Sequence, residues 1–312
     1  MNLLITGAWK TDETILDELK RMGHSVVLMN NESDSVPCDY DSVEGIICNG
    51  LFLHHPIEKF SSLSYVQLTS AGFDRIDLDY AVQHGITVNG AAGVYSIPMA
   101  EYALFSVLSF YKKNNFFYQS KINHEWNKNR DLVELSGKRV CIVGCGNVGI
   151  ECAKRFSAMG CHVDGIDILQ KETQFFSKIY PVDDLEKVIA NVDILILCVP
   201  ISDKTFHMIG KEQFELLSNG CIIVNISRGA VIDSDSLVHA LKNKNIYAAL
   251  DVFEEEPLSH DSALWDLENV LITPHNSFVG DGNKERLHNV IFKNLELLNE
   301  NINSFTKKQN SF

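Results

Sequence analysis

The chain has 312 residues, 45% hydrophobic and 22% charged, which is long enough for two domains that each bury a core. Its formal net charge is −14, and the closest thing to a basic run is Lys307 and Lys308 near the C-terminus. Without a basic stripe to neutralise phosphates, nucleic acid is not an expected partner. None of the eight cysteines form a Cys-x-x-Cys pair and several sit in apolar runs, as expected for reduced, buried thiols in a cytoplasmic protein. The N-terminus lacks the basic start of a signal peptide. The most apolar stretch, 99–110, carries Glu101 and is too short to span a bilayer, so no membrane is expected as a partner.

In chain order, 2–6 reads as a strand and 12–22 as a helix with Ile15, Leu16 and Leu19 on one face. Strands follow at 25–29, 45–48 and 65–68, with a short helix at 58–61 between the last two. The alternation predicts a parallel sheet covered by helices on both faces. Gly90, Gly93 and Pro98 mark a boundary before the apolar helix 99–110. The aromatic group Phe116, Phe117, Tyr118 and Trp126 lies beyond that helix and reads as core or dimer-interface packing.

The second half repeats the theme. Strands are expected at 139–143, 162–166, 194–199, 221–226, 246–250 and 270–272, and helices at 148–159, 184–190, 211–217 and 234–242. The run 192–199 is almost wholly apolar, as a central parallel strand must be when both faces are covered. A second boundary falls near Gly280–Asp281–Gly282, followed by one helix at 285–298. That piece is too short for a core of its own. It is expected to return to the first domain, leaving the middle of the chain as an insertion. The domains are then 1–95 with 282–312, and 96–281.

The strand at 139–143 runs directly into Gly144-Cys145-Gly146-Asn147-Val148-Gly149. Gly144 permits the tight turn, Gly146 lets the backbone approach a pyrophosphate, and Gly149 allows the helix to pack on the sheet. The phosphates then meet the helix N-terminus, where amides and dipole favour negative charge. Asp167 ends the following strand, where a carboxylate accepts hydrogen bonds from ribose hydroxyls and repels a 2′-phosphate. The next residues are Ile168, Leu169, Gln170 and Lys171, with no arginine among them, so NAD is expected in preference to NADP.

Three further segments put polar groups just past strand ends: Val224-Asn225-Ile226-Ser227-Arg228-Gly229, Leu250-Asp251-Val252-Phe253-Glu254-Glu255-Glu256-Pro257 and Thr273-Pro274-His275. In an open parallel sheet that edge binds ligands. His54-His55-Pro56 is a poor metal pair, because adjacent histidines on a strand face opposite ways, and no metal is expected.

With these residues the sequence resembles the D-isomer-specific 2-hydroxyacid dehydrogenases over nearly its whole length. Ser70-Ala71-Gly72-Phe73-Asp74, Ala100-Glu101-Tyr102, Cys198-Val199-Pro200 with Thr205, and Leu264-Trp265 add to the match. The resemblance implies an α/β fold of two Rossmann-like, doubly wound parallel-sheet domains. The NAD-binding domain is inserted into a flavodoxin-like substrate domain. It implies interconversion of a D-2-hydroxy acid and its 2-oxo acid, with His275 as acid/base. Imidazole suits that task because it titrates near neutrality. By the same resemblance Glu256 hydrogen-bonds His275 and fixes its tautomer, and Arg228 binds the substrate carboxylate through its planar guanidinium. The amides of Ala71 and Gly72 hold the carboxylate's other side, across a cleft. Asp251 faces the nicotinamide, while Cys198, Pro200, Thr205, Ile226 and Ser227 line the cofactor groove. The family pattern favours a homodimer.

Leu51, Phe52, Phe73, Tyr95, Trp265 and Phe278 are expected to line the substrate's side-chain pocket, which suits a small or apolar 2-oxo acid. Asn276, Ser277 and Phe278 depart from the commoner family pattern beside the acid/base. A non-catalytic NAD(H)-binding regulator shares the fold and is the alternative. Formate oxidation is disfavoured, since that branch pairs its histidine with glutamine where this chain has Glu256.

Overall fold

The structure is a computed structural model that describes residues 1–170 and 173–309, with side chains as far as 299. Lys171 and the side chains of Lys307 and Lys308 lie outside the described residues. The chain forms two compact units: Met1–Val94 together with the segment from Asp281 onward, and Tyr95–Gly280.

The first unit holds β1 (Asn2–Thr6), α1 (Glu13–Arg21), β2 (Ser25–Met29), β3 (Gly45–Cys48), β4 (Tyr65–Leu68), α2 (Leu78–Gln83) and β5 (Thr87–Asn89). All pairings are parallel in the order β2-β1-β3-β4-β5, the flavodoxin-like arrangement. Helix α1 starts where the Asp12 side chain accepts from Ile15 N–H at 3.1 Å, and it buries Ile15 and Leu19 against the sheet. One face of the sheet contributes Leu4, Ile46, Cys48, Val66 and Leu68 to a core with Leu51, Phe60 and Ala81.

The second unit holds α3 (Ser96–Tyr111), α4 (Asn114–Ile122), β6 (Arg139–Val143), α5 (Asn147–Ala158), β7 (His162–Ile166), β8 (Lys178–Tyr180), α6 (Leu185–Ile189), β9 (Ile194–Leu197), α7 (Lys211–Leu216), β10 (Ile222–Asn225), α8 (Ser234–Asn243), β11 (Tyr247–Leu250) and β12 (Val270–Ile272). Its parallel sheet runs β12-β11-β10-β9-β6-β7-β8, with the chain reversing direction across the sheet between β6 and β9. Strand alternation divides the core in two. Val140, Ile142, Ile194, Ile196, Ile222 and Val224 face α3 and α5. Cys141, Val143, Leu195, Leu197, Ile223 and Leu250 face α6, α7 and α8. Both faces are covered, which explains the continuous apolar runs of the central strands.

The chain then returns to the first unit through α9 (Asn283–Gln309). There Phe292 packs edge-on to Trp9 at 5.9 Å between ring centroids, Arg286 Nε–H donates to Val94 O at 2.7 Å, and Asn294 Nδ2–H donates to the buried Gln67 Oε1 at 2.8 Å.

Several sequence expectations need correction. The short helix at 58–61 is a 3-10 turn at Ile57–Lys59. Leu51 is fully buried in the first unit's core and lines no pocket, because its 3-10 turn points inward. Trp126 is 94% exposed, and Tyr118 and Ile122 are also exposed, so this aromatic group is not core. The apolar helix starts earlier than expected, at Ser96, with Pro98 in its first turn, where no intrahelical N–H is needed.

Candidate active site

The glycine loop lies between β6 and α5, at the carboxyl edge of the second unit's sheet. Gly144 has φ +95°, and a Cβ there would lie 2.7 Å from the carbonyl oxygen of Cys198, so only glycine makes this turn. A Cβ on Gly149 would lie 2.0 Å from Gly144 O, which is how closely α5 approaches the strand. A Cβ on Gly146 would meet nothing within 4 Å. Gly146 caps α5, whose first backbone bond runs from Ile150 N–H to Gly146 O at 2.9 Å. The amides of Asn147, Val148 and Gly149 therefore have no partner within the helix. Open space in front of helix-terminal amides is what a pyrophosphate requires, so these residues fit a dinucleotide.

Asp167 closes the other side. Its Oδ2 accepts from Cys145 N–H at 2.7 Å and its Oδ1 from Leu169 N–H at 2.8 Å. Each oxygen keeps acceptor capacity for a ribose hydroxyl. Burial, helped by the Asp167 charge, pushes the Cys145 thiol up to about 12, so it stays protonated at the cradle.

Across the loop, Cys198 is half-buried beyond β9. Thr205 Oγ1 donates to Pro200 O at 2.7 Å and accepts from Ser202 N–H at 2.8 Å, which shapes the 200–205 loop. Ile226 is buried in the core, so only its main chain can meet a ligand. The Ser227 hydroxyl donates to Asn225 Oδ1 at 2.8 Å. Asn225, 1% exposed at the end of β10, also donates from Nδ2 to Arg228 O at 3.0 Å, so it is the hub of the turn that presents Arg228. A Cβ on Gly229 would overlap the backbone of Phe253, which presses the Arg228 turn against the loop that bears Glu256.

His275 Nδ1 meets Glu256 Oε2 at 2.8 Å, and Glu256 Oε1 accepts from Phe253 N–H at 3.0 Å. The pairing leaves the other ring nitrogen of His275 available for a substrate oxygen. Asp251, 1% exposed at the end of β11, turns its carboxylate to the 273–277 loop: Oδ1 accepts from Thr273 Oγ1 at 2.6 Å and Asn276 N–H at 2.7 Å, and Oδ2 from Ser277 N–H at 3.0 Å. Phe278 stands edge-on to His275 at 6.0 Å and to Tyr95 at 5.7 Å. In the first unit, the Ala71–Gly72 turn is held by Ser70 Oγ–H donating to Gly72 O at 2.8 Å. His55 follows a 3-10 turn and pairs through Nδ1 with Tyr40 OH at 2.9 Å. Among the described residues no group of three His, Cys, Asp or Glu side chains could hold a metal ion, and no helix is long and apolar enough to cross a membrane.

Sequence reasoning missed Asn225, Thr273 and Tyr102 as site-shaping residues. The signal available for Asn225 was a polar residue closing a wholly apolar strand.

Residues 104–277 match the family model described as "D-isomer specific 2-hydroxyacid dehydrogenase, NAD binding domain". The chain is 37% identical over 222 residues to a D-3-phosphoglycerate dehydrogenase of Methanocaldococcus jannaschii, covering 70% of this chain and 42% of that protein. It thus spans about two fifths of the length of that relative. It is 32% identical to a glyoxylate reductase of Korarchaeum cryptofilum, covering 76% and 74% of the two chains. Among solved structures, an NADPH-dependent glyoxylate/hydroxypyruvate reductase of Sinorhizobium meliloti is 26% identical, with a TM-score of 0.77 over 95% of this chain and 93% of that one.

Proposed function

This chain belongs to the D-isomer specific 2-hydroxyacid dehydrogenases, and we propose that it interconverts a D-2-hydroxy acid and its 2-oxo acid. NAD, when bound, supplies or accepts the hydride. Gly144, Gly146, Asn147, Val148 and Gly149 bind its pyrophosphate, and Asp167 its ribose. Cys198, Pro200, Thr205 and the main chain at Ile226 and Ser227 form the opposite wall of the groove. The observation that carries this reading is the His275–Glu256 contact of 2.8 Å at the same sheet edge as the glycine cradle.

During reduction, His275 gives a proton to the substrate's carbonyl oxygen; in oxidation it removes the proton from the hydroxyl. Glu256 accepts a hydrogen bond from Nδ1–H, which presents the other ring nitrogen to the substrate. Arg228 binds the substrate carboxylate in a fork geometry that lysine cannot reproduce. The amides of Ala71 and Gly72 are further carboxylate contacts on this reading. The rings of Phe278 and Tyr95 form an apolar wall beside His275. Of the substrates named in the relatives, small 2-oxo acids with no charge beyond the carboxylate suit that wall better than a phosphorylated one.

The exposed face of α4, with Phe116, Phe117, Tyr118 and Ile122, and Trp126 beyond it, is the proposed homodimer surface. All eight cysteines are free, which supports a reducing cytoplasmic setting. The test is consumption of NADH and of NADPH across glyoxylate, pyruvate, hydroxypyruvate, branched-chain 2-oxo acids and 3-phosphohydroxypyruvate. NADH-dependent reduction of a small or apolar acid is expected. Equal use of NADPH would overturn the role given to Asp167, and preference for the phosphorylated acid would overturn the role given to Phe278. No activity with any acid would favour the regulator.

A further inference from the structure

The backbone at His275 is in the left-handed region, with φ +51°, an unfavourable conformation for a residue with a Cβ. It persists only where the surroundings fix it. Three successive amides, those of His275, Asn276 and Ser277, all donate to one residue: to Asp251 O at 2.8 Å, Oδ1 at 2.7 Å and Oδ2 at 3.0 Å. The successive amides of Asn276 and Ser277 form an anion-binding concavity filled by the Asp251 carboxylate, while the His275 amide is held by the main-chain carbonyl of the same residue. Asp251 is itself anchored by its N–H donating to Asn225 O at 3.1 Å.

The Asp251 carboxylate has a further donor, and that donor has its own. Thr273 Oγ1 lies 2.6 Å from Asp251 Oδ1 and 2.8 Å from Tyr102 OH. A hydroxyl has one proton and a carboxylate can only accept, so Thr273 donates to Asp251 and accepts from Tyr102. Burial of Tyr102 pushes its phenol upward, so it remains a donor. This series of hydroxyls and carboxylate ends on the amides of Asn276 and Ser277, the two residues that follow the acid/base. We propose that Tyr102, Thr273 and Asp251 form a positioning relay that runs from α3 to the His275 loop and holds the imidazole's backbone in its left-handed conformation.

The kinetic part of this proposal rests on the reading of His275 as acid/base; the conformational part does not. Thr273→Val keeps the shape and removes the hydroxyl, Thr273→Ser restores it, and Tyr102→Phe removes only the outer donor. Amide hydrogen exchange is measured for the 273–279 segment and for β6 and β9, alongside kcat and KM for NADH. The expected result for Thr273→Val is exchange about tenfold faster at Asn276 and Ser277 with β6 and β9 unchanged. Its kcat is expected to fall about tenfold and its KM for NADH to stay within about twofold. Thr273→Ser should match wild type. The double variant with Tyr102→Phe should be no worse than Thr273→Val alone, as members of one chain are not additive. Unchanged exchange at the loop, or faster exchange everywhere, overturns the relay. A rise in NADH KM with kcat held makes Asp251 a cofactor contact instead and also overturns it. If Thr273→Val does not fold, Tyr102→Phe decides by the same criteria. A wild-type protein inactive on every 2-oxo acid would sink the functional reading, while the exchange data would still judge the relay.

Discussion

Glu256→Gln separates the electrostatic role of this side chain from its shape. Both carboxylate oxygens face nitrogen, Oε1 toward Phe253 N–H at 3.0 Å and Oε2 toward His275 Nδ1 at 2.8 Å. Glutamine keeps one acceptor oxygen, so one of these partners meets an NH2 group instead. A hydrogen bond to a charged group contributes about 1.5–3 kcal/mol, against about 0.5–1.5 for a neutral pair. The two side chains are 39% and 37% exposed, so water replaces part of what is lost. That discount leaves about 1 kcal/mol. The expected consequence is roughly a fivefold fall in kcat/KM for the 2-oxo acid, with KM for NADH moving less than about twofold. Glu255→Gln is the matched control: it removes the same charge from an exposed neighbour. Steady-state NADH oxidation by both variants is the assay. If Glu256→Gln cannot be told from Glu255→Gln, or if its loss lies in NADH KM, then Glu256 does not support His275.

The glycine loop gives a contrast between two alanines. Gly146→Ala adds a Cβ into open space and should keep wild-type thermal stability while weakening NADH binding, read by fluorescence titration. Gly149→Ala places its Cβ 2.0 Å from Gly144 O and should lower the melting temperature as well. Equal stability losses in the two would contradict the packing described. His24 is 4% exposed, with no hydrogen-bond partner for either ring nitrogen, and burial holds its pKa below 6.5. Below pH 6.5 the unfolded chain therefore binds a proton that the folded chain resists, and stability falls as the pH drops from 6.5 toward the depressed folded value. His24→Phe should flatten that acid limb in urea unfolding measured from pH 7 to pH 5, and an unchanged slope would refute it.

Local pattern made much of this molecule legible. The apolar runs at 140–143, 194–197 and 222–225 are central strands because both faces of the sheet are covered. The glycine spacing marks the β6–α5 turn because its backbone has no room for side chains at Gly144 and Gly149. The short edge strands β5 and β8 carry no such signal; three residues are too few for a period, and pairing with β4 and β7 makes them. Helix α2 has only 6 residues, too few for a periodic pattern to stand out. Helix α4 leaves most of its apolar side chains exposed, so it lacks a one-sided pattern. In the site, Glu256 and His275 were readable as residue types past strand ends. The network behind them was not. Tyr102 and Thr273 are 171 positions apart, and only the packing of α3 against the sheet brings their hydroxyls together.

His275 is the residue on which the whole account turns, and one paired measurement addresses it. NADH-dependent reduction of the preferred 2-oxo acid and NADH affinity are determined for wild type and His275→Ala. Loss of general acid catalysis should lower kcat by about 10²–10⁴-fold, while the cradle around Gly146 still binds NADH within about threefold of wild type. Undiminished turnover in His275→Ala would contradict the assignment of this edge of the sheet as the site of hydride transfer chemistry.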